Sequence, residues 1–172
     1  MDYSRHTAGT AQWERTLWKK LEVGDIVLLR EDEQVPADLL VLSTSDPDGT
    51  CFVETKNLDG ETNLKPRKSL RGTIGIQAEE DAEHAEFYVD SEPPHANLYS
   101  FNAVLHYKTR SANGGKSIEK VEPITINELL LRGCALRNTA WTIGLVVFTG
   151  ADTKIMLNQG QFTETLQLSH TD

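Results

Sequence analysis

The apolar residues of this chain come in short runs, each closed by a turn signal, and that spacing constrains the fold more than any other feature. Ile26-Val27-Leu28-Leu29 ends at the charged cluster Arg30-Glu31-Asp32-Glu33, and Leu39-Leu40-Val41-Leu42 ends at Ser45-Asp46-Pro47-Asp48-Gly49. Cys51-Phe52-Val53-Glu54-Thr55 follows and alternates β-branched with polar residues. Runs of about four to eight residues bounded by Gly, Pro, Asp and Ser are strand signals, and three of them so close together point to an all-β sandwich or roll. Alternation resumes from Asn97 to Tyr107, and Asn113-Gly114-Gly115 supplies the positive-φ residues of a tight hairpin before a Ser117–Val121 arm. Leu129–Leu136 and Thr142–Phe148 are expected as two core strands joined around Arg137-Asn138-Thr139, closing the roll. Asp152–Leu157 is expected as a short helix with Asp152 at its cap.

The 172 residues suit one domain able to bury most of its unfolded surface. Residues 1–12, small and polar, are expected as a flexible leader, 13–158 as the folded domain, and 159–172 as a flexible tail or linker. Positions 79–92 carry seven acidic residues and no Lys or Arg, so 76–96 is expected as an exposed insertion or a solvated helix. Trp13 and Trp18 are expected to anchor the first segment to the core.

Several functions are disfavoured. A net charge of −9, from 26 acidic and 17 basic residues, repels phosphate backbones, so nucleic acid is not an expected partner. The densest apolar stretch, Trp141–Phe148, is far shorter than the roughly 20 residues that span a bilayer. Cys51 and Cys134 lack CxxC pairing and are expected as reduced core thiols; with no signal-peptide h-region and no Asn-x-Ser/Thr acceptor, this points to the cytosol. His84, His95 and His106 have no metal-ligand spacing, so no metal site is expected. Gly114-Gly115-Lys116-Ser117 ends like a phosphate-binding loop, but Arg110 stands where its first glycine is required, so a hairpin tip is expected.

One segment concentrates chemistry. Lys56-Asn57-Leu58-Asp59-Gly60-Glu61-Thr62-Asn63-Leu64-Lys65 follows a strand and places a glycine between carboxylates. Gly60 permits a backbone conformation closed to other residues, and a carboxylate projecting from such a turn can take a proton from a water and aim it. Taken alone, Asp59 and Glu61 are equally two solvated carboxylates on a loop.

The surrounding sequence resembles the actuator domain of P-type ATPases at separated points. Val23-Gly24-Asp25-Ile26-Val27 with Val35-Pro36-Ala37-Asp38 is similar to the family's opening, and Thr149-Gly150-Ala151-Asp152-Thr153-Lys154 to its closing segment. The version Asp59-Gly60-Glu61-Thr62, embedded in Glu54–Lys65, resembles the type IV members, the phospholipid flippases, as do Leu129–Cys134 and Leu136–Thr139 with Trp141 and Gly144. The run Asn57–Lys68 looks most like the fungal members. The resemblance covers about residues 13–158 and is weakest in the acidic insertion; the tail 159–172 departs from the family's basic linker.

That resemblance implies a mainly β fold, a distorted jelly-roll or double-stranded β-roll with short helices. It implies that Glu61 positions and deprotonates the water that hydrolyses an aspartyl phosphate in a separate phosphorylation domain. Gly60 would allow close approach, and Asp59 and Thr62 would shape the turn and bond the neighbouring domain. ATP and Mg²⁺ would belong to the parent protein and no cofactor to this domain, which alone would be inert. The implied partners are the phosphorylation and nucleotide-binding domains of the same chain, a phospholipid, an accessory transmembrane subunit and an autoinhibitory terminal tail. The implied location is the cytosolic side of a Golgi, endosomal or plasma membrane. Two rival classes are a hydrolase using Asp59 and Glu61 as an acid/base pair, which residues two apart in a turn suit poorly, and a β-roll binding module without catalysis.

Overall fold

The computed structural model describes residues 2–6, 13–111 and 114–159. The domain is mainly β. Among the described residues there are twelve strands: β1 (Asp2–His6), β2 (Trp13–Leu17), β3 (Ile26–Arg30), β4 (Asp38–Thr44), β5 (Thr50–Glu54), β6 (Lys65–Lys68), β7 (Phe87–Ser91), β8 (Ala103–Arg110), β9 (Ser117–Ile124), β10 (Leu129–Leu130), β11 (Ala135–Arg137) and β12 (Trp141–Phe148). Helices are short: α1 (Lys56–Asp59), α2 (Glu79–His84) and α3 (154–159). One six-stranded antiparallel sheet runs β10-β4-β12-β3-β1-β2, and two three-stranded sheets run β11-β5-β6 and β7-β8-β9.

All seven residues of β4 are buried, which explains why Leu39–Leu42 is an unbroken apolar run rather than an alternating one. Its neighbour β12 pairs with it on one side and with β3 on the other, and Gly144 sits where the β12–β4 register shifts. β10 covers only Leu39 and Leu40 on the other edge of β4. Beyond it, residues 70–76 finish that edge: Leu70 N–H donates to Val41 O (3.0 Å), Thr73 Oγ1 to Leu42 O (2.8 Å), and Ser43 Oγ to Ile76 O. One apolar cluster joins the three sheets, from Val27, Leu29 and Ile143 through Cys51, Val53 and Leu136 to Leu105 and Ile124. Cys51 and Cys134 are free and buried within it, and burial pushes their thiols up to about 11 and about 12.

Five expectations are corrected. Asp2–His6, assigned to a leader, form β1 between β2 and β3, because strand pairing uses backbone groups that a polar sequence also has. The single strand expected over Leu129–Leu136 is broken into β10 and β11 by a turn at Gly133 (φ 92°), whose N–H donates to Val35 O. The acidic insertion holds α2, which buries Ala82, but also β7, whose Phe87 and Val89 are masked in the sequence by flanking acids. β8 begins at Ala103 rather than Asn97, since Asn97 Oδ1 accepts the Tyr99 N–H and holds a turn there. α3 begins after Thr153, and the N–H of its first residue, Lys154, is capped by Asp38 Oδ2 (2.9 Å), not by Asp152. Gly114, with φ 76°, turns the β8–β9 hairpin, while Asn113 and the tail from 160 onward lie outside the described residues.

Candidate functional site

The segment singled out in the sequence connects β5 to β6, which pair antiparallel with Val53 opposite Lys65. Both ends of the connection are therefore fixed on neighbouring strands. The chain leaves β5 into the single turn α1, held by Leu58 and Asp59 N–H bonds to Thr55 O (2.9 and 3.1 Å) and a Gly60 N–H bond to Lys56 O (3.0 Å). Gly60 ends the turn in the left-handed region (φ 74°, ψ 0°), where an L side chain is disfavoured. Leu58 packs against the core and Asn57 Nδ2 donates to Gly133 O (3.4 Å), so α1 rests on the β10–β11 turn.

Asp59 organises the rest of the loop. Its Oδ1 accepts the buried Thr55 hydroxyl (3.0 Å) and the Glu61 N–H (3.0 Å), the latter an Asx-type turn across Gly60. Its Oδ2 accepts Lys65 Nζ at 2.7 Å, and the same ammonium lies 2.8 Å from Glu61 Oε2. The lysine, the turn N–H and the threonine hold the Asp59 carboxyl below the usual range, the lysine most of all; the two carboxylates in turn raise Lys65. The Asp59 side chain is 11% exposed and that of Glu61 57%, so one carboxylate is spent on structure while the other faces outward. Thr62 is exposed beside it.

The strand that launches the loop is anchored by a residue to which sequence reasoning gave no role. Arg137, on β11, donates Nε and a terminal nitrogen to Glu54 Oε2 (3.1 and 2.8 Å) and its other nitrogen to Asp32 Oδ1 (2.7 Å). Asp32 itself has φ 68°. The sequence signal for Arg137 was a motif match, Leu136–Thr139, without a chemical reading.

A second polar centre lies in the core. Asp38 is fully buried and accepts the N–H groups of Arg132 (3.0 Å) and Lys154 (2.9 Å). Burial, offset in part by those two bonds, pushes its carboxyl up to about 6. Lys154 is buried with it, its ammonium 3.3 Å from His95 O and over the Phe101 ring; burial lowers it. His95 meets Glu92 at 2.6 Å, and His106 meets Asp90 at 3.0 Å. Among the described residues, no group of three His, Cys, Asp or Glu side chains could hold a metal, and no helix is long and apolar enough to cross a membrane.

A β-rich domain that presents Asp59-Gly60-Glu61-Thr62 between two paired strands defines a class. A family profile for the P-type ATPase actuator domain matches residues 3–88, and the chain belongs to that family. It is 47% identical over 162 residues to the phospholipid-transporting ATPase dnf2 of Schizosaccharomyces pombe, covering 93% of this chain and 12% of that protein. It is 53% identical over 146 residues to the phospholipid-transporting ATPase DNF1 of Saccharomyces cerevisiae, covering 85% of this chain and 9% of that one. Phospholipid-transporting ATPase 6 of Arabidopsis thaliana is 45% identical over 150 residues, covering 87% of this chain and 11% of the relative. The chain thus spans about a tenth of the length of the relatives it matches.

Proposed function

We propose that this chain is the actuator of a phospholipid-translocating P-type ATPase, and that Glu61 is the group that drives dephosphorylation. The parent protein would be phosphorylated by ATP, with Mg²⁺, on an aspartate of a separate phosphorylation domain; both cofactors belong to the other domains. Glu61 would then accept a proton from a water whose oxygen attacks phosphorus. The bond from phosphorus to the aspartyl oxygen breaks, inorganic phosphate leaves, and the aspartate is returned as carboxylate. Such a transition state asks the protein mainly for positioning and a base, a contribution of about 10² to 10⁴ in rate.

The observation that carries this reading is the division of labour within the loop. The Asp59 carboxylate is held by the Thr55 hydroxyl, the Glu61 N–H and the Lys65 ammonium, whereas Glu61 stands 57% exposed at the apex. Gly60 leaves open space around its Cα, which suits close approach to a phosphoryl group, and the exposed Thr62 would contact the docking domain. The relatives' names supply the substrate class, so hydrolysis is coupled in this reading to moving phospholipid toward the cytosolic leaflet. An accessory transmembrane subunit, an autoinhibitory terminal tail and a Golgi, endosomal or plasma membrane setting belong to the same proposal, and the chain alone would not turn over ATP.

The test is Glu61→Gln in the full-length parent. After labelling with ATP and a chase in the presence of lipid, the acid-stable phosphoenzyme should decay about 100-fold more slowly while still forming normally. Decay at the wild-type rate would reduce the loop to a structural turn.

A further inference from the structure

Resting on that reading, the geometry points to Lys65 as a positioning residue for Glu61: it holds the base in one orientation through a bridge to Asp59. Lys65 is the first residue of β6, and its backbone is fixed opposite Val53 in the β5–β6 ladder. From there its ammonium reaches back over the loop, 2.7 Å from Asp59 Oδ2 and 2.8 Å from Glu61 Oε2. Asp59 in turn holds the Glu61 N–H and the Thr55 hydroxyl. Main chain and side chain of Glu61 are therefore both tied to one carboxylate, the main chain directly and the side chain through Lys65.

A glutamate on an exposed tip otherwise spreads over many rotamers. Among the described residues, Lys65 is the ion-pair partner of the Glu61 carboxylate. An ammonium has three donors and no acceptor, so it serves both carboxylates at once without taking the proton a base must accept. It engages one Glu61 oxygen and leaves the other for a water. Alignment errors of about 1 Å at a reacting group can cost on the order of 100-fold in rate, which gives the clamp a functional value that a surface ion pair lacks as a source of stability.

The Lys65 side chain is 24% exposed, and the basic groups next along β6, Arg67 and Lys68, belong to the same strand; Arg67 is turned back on Pro66 O. Removing Lys65 thus removes the side-chain bridge between Asp59 and Glu61, while the Glu61 N–H bond to Asp59 and the strand pairing stay in place.

The experiment tracks phosphoenzyme decay in the full-length parent for K65M, K65R, E61Q and the double variant E61Q/K65M. K65M should be phosphorylated normally and decay about tenfold more slowly. K65R should recover to within about threefold of wild type, because a guanidinium fork can bridge two carboxylates. Adding K65M to E61Q should slow decay no further, since a residue that acts through Glu61 has nothing left to act on. Wild-type decay of K65M overturns the inference, and so does a further loss in the double variant, which would mean that Lys65 works independently of Glu61. Where K65M is not phosphorylated, K65Q, which keeps a polar side chain, one bond shorter and without the charge, serves the same comparisons. Wild-type decay of E61Q sinks the assignment of Glu61 itself; slow decay of E61Q with unaltered K65M sinks only this inference.

Discussion

Replacing Gly60 by alanine separates what the loop's backbone needs from what its neighbour needs. An ideal Cβ at Gly60 meets nothing within 4 Å, so alanine adds no clash in the free domain. What it adds is conformational: φ is 74°, and the left-handed region costs an L residue about 1 to 2 kcal/mol. In a chain of 172 residues that corresponds to a melting temperature lower by roughly 3 to 6 °C. Thermal or urea unfolding of the isolated chain measures this directly. The strain is present in free and docked loops alike, so by itself it changes phosphoenzyme decay little. A decay slowed by about 100-fold in the parent would then report a methyl group held off a docking surface. Gly60→Asn makes the comparison sharper, because asparagine tolerates the left-handed region and should restore stability to within about 0.5 kcal/mol while keeping the bulk. The reasoning is refuted if alanine costs more than about 3 kcal/mol in the free chain, since the space would not be open. It is equally refuted if Gly60→Asn decays like wild type, since close approach would not be required.

Asp38→Asn tests the buried carboxylate through pH. Asp38 titrates near 6 in the folded chain against an ordinary 3.8, so its contribution to stability is fully present below about pH 4 and lost as pH rises through 6. A gap of about two pH units at roughly 1.4 kcal/mol per unit means that wild-type stability relative to Asp38→Asn should fall by about 2 to 3 kcal/mol between pH 4 and 7.5; a constant difference in urea unfolding would contradict it. Gly144→Ala tests the core: its Cβ would stand 3.0 Å from Leu39 Cβ and 3.1 Å from Leu40 O, atoms that no rotamer change can move. It should cost about 1 to 3 kcal/mol by chemical denaturation, whereas Gly75→Ala, which meets nothing within 4 Å, should leave the midpoint near wild type.

The strands most legible in the sequence were those built on short apolar runs closed by turn signals. β3, β4, β5 and β12 were visible because Ile26–Leu29, Leu39–Leu42, Cys51–Val53 and Ile143–Phe148 are such runs, although of these only β4 is buried along its whole length. β1 and β7 were hidden, because Asp2–His6 and the acid-flanked Phe87–Ser91 pair by backbone groups and show little apolar period. The break at Gly133 was hidden for a different reason: glycine inside an apolar run is ambiguous until the Val35 carbonyl that receives its N–H is known. At the site, a carboxylate-glycine-carboxylate turn was legible as composition. Its internal wiring was not. That Asp59 faces inward to Thr55 and Lys65 while Glu61 faces outward depends on Gly60 reversing the chain between them, and on β6 returning Lys65 to the same place. Arg137 and Asp38 likewise act on residues 83 to 116 positions away, beyond the range of any local pattern.

The pairing of Val53 with Lys65 has a mechanical consequence. Strands in a ladder stand about 4.8 Å apart, so the loop between them is seated on two adjacent feet and has no hinge at either. Swinging it alone would require breaking the β5–β6 ladder, the Arg137 grip on Glu54 and the lean of α1 on Gly133 together. Its apex behaves as a tooth on a wheel rather than a finger on a joint. The direction in which Glu61 points is then set by the attitude of the domain as a whole, and in the proposed reading the apex comes into and out of mesh with that body rather than by a motion of its own.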